Sequence, residues 1–463
     1  MKPLPSKNDL FLKRLTVQAF PEAVFERLYN CEKYAFLYES LENDGERGRY
    51  SFIGGRPFLI FRSTGKTAAL ESAEGCSSET GDPLEVLRGI MKKYDFPLSH
   101  QVFTGGAVGF MSYDAVRLSE QISDRHEPDF PVPDMYFIFP SEIMIFDHLK
   151  KTVDIIIYGG FGDARFNEIE AAVTSSSAPC PAEVPSDEKP FPESNFTREE
   201  FEDRVRKAQE YILAGDIFQV VLSQRFSFPM KASPLSVYRE LRKANPSPYM
   251  YFLQFDGLHI LGSSPETLVS LKSGTAVTKP IAGTRRRGRT EEEDMALERE
   301  LLADEKERAE HVMLVDLARN DLGRVCEYGS VRVDEFFGIE RFSRVMHIVS
   351  EVSGRIRPEY DMFDLFTACF PAGTVSGAPK VRAMEIIDEL ENCRRGIYAG
   401  AIGYFDFCGN MDVCITIRTI VMSEGRAFIQ AGAGIVADSQ PELEYKETIN
   451  KAQALMKAVG AAE

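Results

Sequence analysis

The chain has 463 residues, 44% of them hydrophobic, which supports a sizeable core and excludes wholesale disorder. A formal net charge of −17 excludes a nucleic-acid partner held on basic surface. No apolar run has membrane-spanning length, MKPLPSKNDLF has no leader h-region, and eight cysteines (31, 76, 180, 326, 369, 393, 408 and 414) form no CxxC pair, so a reducing cytoplasm with free thiols is expected.

Residues 34–40 (YAFLYES) and 49–54 (RYSFIG) read as strands on either side of a charged turn at 41–48. Residues 58–75 alternate like a hairpin, 83–94 reads as a short helix, and 105–110, 135–147 and 153–158 read as strands. Ser, Pro and acidic residues crowd 174–196, which reads as a linker separating 1–173 from 197–463. Thr197 and Glu200 have capping-box spacing at the start of a helix over 197–214. A β-branched strand at 218–226 and a helix at 234–244 follow, the helix closed by Asn245-Pro246-Ser247-Pro248. Strands at 249–255 and 259–263 flank an Asp256-Gly257 turn. Residues 290–318 form a long charged helical region, 405–412 a turn, 412–422 and 426–431 strands, and 441–459 the last helix. GAVGF at 106–110 echoes GAIGY at 400–404, one in each half; five residues leave both duplication and chance as readings. Many strands with interspersed helices, and hairpins rather than strict βαβ alternation, favour an α+β fold.

The stretch FPAGTVSGAPKVRAMEIIDELE at 370–391 runs from a Pro/Gly loop into an amphipathic helix. Pro379 suits the first helical turn, and free N–H groups at such a start can hold an anion. An ordinary loop–helix joint is an equally good reading. Residues 373–380 lack the spacing of a phosphate-binding loop. GAGIVA at 432–437 spells a dinucleotide fingerprint, but the residues after Ala437 cannot complete the unit and Pro441 delays the helix. Arg285, Arg286 and Arg287 read as a salt-bridged loop, given the acids at 291–294. Glu307 with Glu310, and Glu444 with Glu447, are i, i+3 pairs that share a helix face. Solvated faces carry such pairs routinely. Four converging carboxylates would instead call for a hard cation such as Mg²⁺.

The chain resembles the chorismate-utilising enzymes, and within them the large-subunit (component I) anthranilate synthases. The motifs are GSSPETLV (262–269), KPIAGTRRRG (279–288), DEKERAEHVMLVDLARNDLGRV (304–325), VMHIVSEVSG (345–354), 370–391, RRGIYAGAIGY (394–404) and AGAGIVADSQPELEYKETINKA (431–452). The resemblance implies a large two-lobed α+β body of stacked antiparallel sheets covered by helices. In it, 1–173 is the regulatory part and 197–463 the catalytic, chorismate-binding part.

By the same resemblance, Glu310 and Glu447 bind Mg²⁺ directly, with Glu307 and Glu444 reached through water. Arg418, Tyr398 and the backbone of Gly432, Ala433 and Gly434 hold the enolpyruvyl carboxylate, with Lys451 a further charged neighbour. Gly283, Thr284, His347 and Thr374 surround the ring and pyruvyl group. The implied reaction adds ammonia at ring C2, loses the C4 hydroxyl and eliminates pyruvate to give anthranilate, the first committed step of tryptophan biosynthesis. Glu266 is the expected general acid, and His347 assists proton removal. Gln219 stands where family members that add water have lysine, and Ala282 where those that aminate C4 read PIKGT. Both differences favour anthranilate; the alternative is aminodeoxychorismate for folate.

No GxCxG elbow of a glutamine amidotransferase is present, so glutamine-derived ammonia requires a second subunit, component II. Tryptophan is the expected inhibitor. The matching residues are Glu39, Ser40, Arg49, Pro248, Tyr249, Met250, Tyr404 and Cys414, with Tyr38 in place of a leucine. The chain itself contains no tryptophan.

Overall fold

The computed structural model describes residues 10–41, 48–94, 102–127, 130, 132–159, 163–175, 192–342 and 345–460. Most of the expected charged turn at 41–48 and linker at 174–196, together with Cys180, lies outside the described residues. The other seven cysteines are free thiols. No helix among the described residues is long and apolar enough to cross a membrane.

Two twelve-stranded sheets make up the body, and among the described residues every strand pairing is antiparallel. Both sheets draw strands from both halves of the chain. In the first, Tyr34–Glu39 lies between Tyr50–Gly55 and Tyr249–Phe255. In the second, Gly106–Met111 pairs with Ala401–Asp406. The two echoing pentapeptides are therefore direct partners, with Gly109 opposite Gly403.

Side-chain alternation sorts the apolar residues of the first sheet between two cores. Phe36, Ile143, Ile145, Tyr251 and Leu253 face the second sheet in the main core. Leu37, Met144, Phe146, Met250 and Phe252 face outward, where helices Pro21–Tyr29, Asp163–Thr174, Pro234–Ala244 and Pro441–Ala458 cover them with Phe25, Ile169, Leu241 and Leu455. This arrangement is the expected α+β body.

Four short segments carry consecutive strands from one sheet to the other; the first, at residues 56–58, joins Tyr50–Gly55 of the first sheet to Leu59–Thr64 of the second. Met135–Phe139 belongs to the second sheet and Glu142–Asp147 to the first, so the single strand expected at 135–147 is two, broken at Pro140-Ser141. The strand expected at 412–422 is likewise Met411–Ile415 in the second sheet and Thr419–Ser423 in the first. Leu258–Ser264 and Thr267–Lys272 cross at Pro265-Glu266. Strands that switch sheets make the corners where packed sheets meet. The helical region expected over 290–318 also divides, into Glu291–Ala303 and Glu305–Gly323, because Asp304 caps the second helix by accepting from Lys306 N and Glu307 N.

Thr197 and Glu200 form the expected capping box on helix Arg198–Ala214. The loop before helix Lys380–Leu390 is more regular than its prolines suggest. Gly373–Ser376 make one helical turn, and Gly377 and Ala378 pair with Val220 and Gln219. Pro379 caps the following helix rather than entering its first turn. GAGI at 432–435 continues strand Arg426–Ile435, so no phosphate-binding turn forms there.

Candidate active site

Glu266 and Arg418 each occupy a sheet crossing, and the crossings lie side by side. Ile415 N donates to Glu266 O at 3.0 Å, and Ser263 N donates to Arg418 O at 3.1 Å. Arg418 has φ +52°, a left-handed conformation that costs about 1 kcal/mol and survives where surrounding structure demands it. Its guanidinium makes no ion pair within contact distance among the described residues. Burial lowers its pKa, while Tyr398 and Glu447 act in the opposite direction. A sequestered cation without a contacting carboxylate suits a ligand carboxylate.

The Glu266 side chain is 7% exposed. Burial pushes its carboxyl up to about 8, against the opposing pull of Thr374 and the Lys451 charge. Thr374 sits on the one-turn helix, and its buried Oγ1 makes no well-formed hydrogen bond. Arg395 braces that turn from behind: Nη1 donates to Val375 O at 2.7 Å, Nη2 to Val221 O at 2.6 Å, and its guanidinium lies over the Tyr398 ring. Glu391 neutralises Arg395 at 2.6 Å and also accepts from Ser223 N and Oγ.

His347 Nδ1 lies 2.9 Å from Gly283 O and 3.0 Å from Thr284 Oγ1. A carbonyl only accepts, so Nδ1 carries the hydrogen and Nε2 is the basic nitrogen. Burial lowers the His347 pKa; the Gly283 bond opposes this, and the charges of Arg418 and Lys451 reinforce it. The ring is therefore neutral at neutral pH. Gly283 has φ +63°, and a Cβ there would stand 3.2 Å from Glu307 Oε2. The Lys451 charge acts on both Glu266 and His347, and Arg418 acts on both His347 and Tyr398, so these groups share one site.

The two acidic pairs come from helices Glu305–Gly323 and Pro441–Ala458. The Lys306 charge on the first helix acts on Glu444 of the second. Burial raises the pKa of Glu307, with repulsion from Glu310 adding to it. Burial also raises Glu444, with Glu447 adding to it. Arg285 Nη1 reaches Glu307 at 3.3 Å, and Lys451 reaches Glu447 at 2.7 Å and Gly432 O at 3.0 Å. Gln219 Nε2 donates to Glu310 Oε1 at 2.9 Å. It lies across Gly434, where a Cβ would come within 2.6 Å of it; a Cβ on Gly432 would similarly meet Tyr398 Oη at 2.6 Å. Ala433 lies buried between these glycines on the same strand. Among the described residues no three acidic, His or Cys groups form a ready-made metal cage. The donors are hard oxygens with mutual repulsion to relieve, and Mg²⁺ characteristically uses only one or two protein carboxylates, so the residues fit that ion.

A separate cavity of about 390 Å³ lies between the sheets. Ser40, Arg49, Pro248, Tyr249, Met250, Tyr404, Cys414 and Glu39 all line it, as does Tyr38. The Glu39 carboxylate is already engaged by Tyr238 Oη at 2.7 Å and Arg242 Nε at 3.1 Å, and Arg49 by Asp147 at 2.8 Å. Asp412 is therefore a cavity-lining carboxylate that sequence reading missed; it accepts from Tyr249 Oη at 2.8 Å.

The Gln219 contact, Arg395 and the Asp321–Lys380 pair were also missed. All three join segments far apart in the chain; Arg395, Asp321 and Lys380 each lay in a quoted motif without a role. The arginine run is salt-bridged as expected, Arg286 to Glu293 and Arg287 to Asp294, but Arg285 and Arg286 end strand Ile281–Arg286 rather than a loop, and Arg285 pairs with Glu300 and Asp304 beyond the expected acids.

The chorismate binding enzyme family matches residues 34–457. The chain is 48% identical to anthranilate synthase component 1 of Acetivibrio thermocellus, over 95% of this chain and 92% of that protein. It is also 48% identical to the Aquifex aeolicus protein of the same name, over 98% and 95%. Anthranilate synthase component I from Streptococcus pneumoniae superposes with a TM-score of 0.80 at 39% identity, over 95% of this chain and 98% of that one. The menaquinone-specific isochorismate synthase of Escherichia coli shares the fold, with a TM-score of 0.75 at 18% identity, over 99% and 95%.

Proposed function

The chain belongs to the chorismate binding enzymes, and from that premise we propose that it converts chorismate and ammonia to anthranilate and pyruvate. The observation that carries this reading is the burial of the Glu266 carboxyl beside the Thr374 hydroxyl, which pushes its pKa up to about 8 and so favours the acid form at neutral pH. Loss of the C4 hydroxyl requires an acid, and such a group supplies it. Arg418, Tyr398 and the Gly434 backbone hold the enolpyruvyl carboxylate, and neutral His347 takes the ring proton through Nε2 as pyruvate leaves. Glu310 and Glu447, with Glu307 and Glu444 through water, would hold Mg²⁺, which would supply charge neutralisation for the ring carboxylate. Gln219 offers no amine to activate water, whereas ammonia already carries a free lone pair.

Ammonia comes from glutamine through a component II amidotransferase subunit. L-Tryptophan is the feedback inhibitor, bound in the 390 Å³ cavity, and the first committed step of its synthesis is thereby regulated. The free thiols fit a cytoplasmic location.

The test is the purified chain with chorismate, MgCl₂ and ammonium chloride. Fluorescent anthranilate and pyruvate are expected in equal amounts. A 4-amino product without anthranilate would sink this reading in favour of aminodeoxychorismate.

A further inference from the structure

Lys380, which sequence reading set aside as part of a failed phosphate-binding loop, turns inward. Its Nζ lies 2.8 Å from Asp321 Oδ2 and 3.2 Å from Cys369 O. Asp321 ends the same long helix that carries Glu307 and Glu310. Between this pair and the reaction site is a cavity of about 40 Å³. Its polar walls are Glu266, Thr267, Thr278, Lys279, Asp321 and Thr374, with Lys279 paired to Glu351 at 2.8 Å; its apolar walls include Leu317 and Ala318. A water needs roughly 10–15 Å³ of such space and two to four polar partners. The cavity meets both requirements, and the buried Thr374 Oγ1, which makes no well-formed hydrogen bond, has room to bond a water there.

We propose that this cavity holds an ordered water through which Asp321 returns a proton to Glu266 after each turnover. The proposal rests on Glu266 being the acid of the reaction. When the C4–O bond breaks, the Glu266 O–H bond breaks with it, and the hydroxyl departs as water. Ammonia has meanwhile bonded to C2, and Glu266 remains as a carboxylate. With substrate or product over the reaction site, the return path runs through the cavity on the Asp321 side. The Asp321 and Lys380 side chains are 14% and 13% exposed, enough to exchange protons with solvent. A solvent proton binds Asp321, passes to the cavity water as that water gives up another, and forms the new O–H bond on Glu266. Asp321 acts through the water and is a positioning residue. The competing account is that the pair merely staples the helix to the 370–380 loop.

Anthranilate fluorescence after rapid mixing with chorismate, Mg²⁺ and ammonium separates these accounts. Glu266 begins protonated, so the first turnover does not need the relay. Asp321→Asn is expected to release about one anthranilate per site at the parent rate, followed by steady turnover slower by about tenfold or more. If first and later turnovers slow together, or steady turnover is unchanged, the proposal is overturned. Should Asp321→Asn fail to fold, Ala318→Val, which fills the cavity, is expected to give the same burst; its absence overturns the relay. Glu266→Gln identifies which reading has failed. If that variant keeps full turnover, the acid assignment falls and the relay with it. If it is inactive while Asp321→Asn behaves as the parent, only the relay falls.

Discussion

Tyr249 Oη lies 3.0 Å from Thr267 Oγ1, one residue along the chain from Glu266. Tyr249 donates its only hydrogen to Asp412, so the Thr267 hydroxyl donates to Tyr249. Thr267 lines both the large cavity and the small one against Glu266. Tyr249 thus ties the wall of the large cavity to the residue that follows Glu266.

Tyr249→Phe cuts this link without altering the reaction site. The tryptophan concentration needed for half-inhibition is expected to rise about fivefold or more, the size of an ordinary allosteric coupling. Uninhibited turnover stays near the parent value. Ser40→Ala, on the same cavity, is expected to weaken inhibition likewise. Titrating tryptophan into the ammonia-dependent assay measures both, and parental inhibition in both variants would remove the site.

The pH dependence of Glu266 has a definite sign. Its pKa is raised from 4.5 to about 8, so the acid form persists through neutrality. Turnover is expected to fall as pH rises through about 8, a limb that Glu266→Gln abolishes along with roughly 10²-fold or more of the rate. The unfolded carboxyl ionises near 4.5 while the folded one does not, so the folded state loses stability between those values as pH rises. Glu266→Gln should therefore be more stable than the parent at alkaline pH and similar to it at pH 4 and below, as read from urea midpoints.

Glu310→Gln removes half of the proposed direct ligand pair. Calorimetric titration with MgCl₂ in the presence of chorismate is expected to show at least about tenfold weaker binding, and Mg²⁺-dependent turnover should vanish with the circular dichroism unchanged. Parental Mg²⁺ affinity would move the metal elsewhere.

Gly434→Ala tests the Gln219 contact indirectly. The new methyl would press within 2.6 Å of Gln219 Nε2, a movable side-chain end, and displace it from Glu310. The fold should survive, while turnover falls about tenfold and more Mg²⁺ is required.

Gly403→Ala tests the fold instead of the site. A Cβ there would lie 2.1 Å from Asp412 O, a backbone atom that cannot give way without disturbing the strand pair. A loss of about 3 kcal/mol in unfolding free energy is expected from such overpacking.

Local patterns were legible from the residues alone. Thr197 with Glu200 announced a capped helix, Asp256-Gly257 a hairpin turn, and the acidic i, i+3 spacings two helix faces, because each depends on neighbours a few positions away. The family motifs contain Glu266 and His347, and the resemblance implied Arg418 as well. Residues 135–147 and 412–422 were read as single strands because strand-forming residues continue on both sides of the break, although the chain changes sheets there.

Sequence alone thus determined most element types and the α+β class, and it supplied a candidate set of site residues. Tertiary structure alone decided that Glu266 and Arg418 meet at adjacent sheet crossings, that Gln219 bonds to Glu310, and that Asp321 lies across a small cavity from Glu266. The raised pKa of Glu266 follows from that placement. The reason is physical: propensity and periodicity act over one or two turns of chain, whereas burial and hydrogen bonding depend on which distant segments pack together.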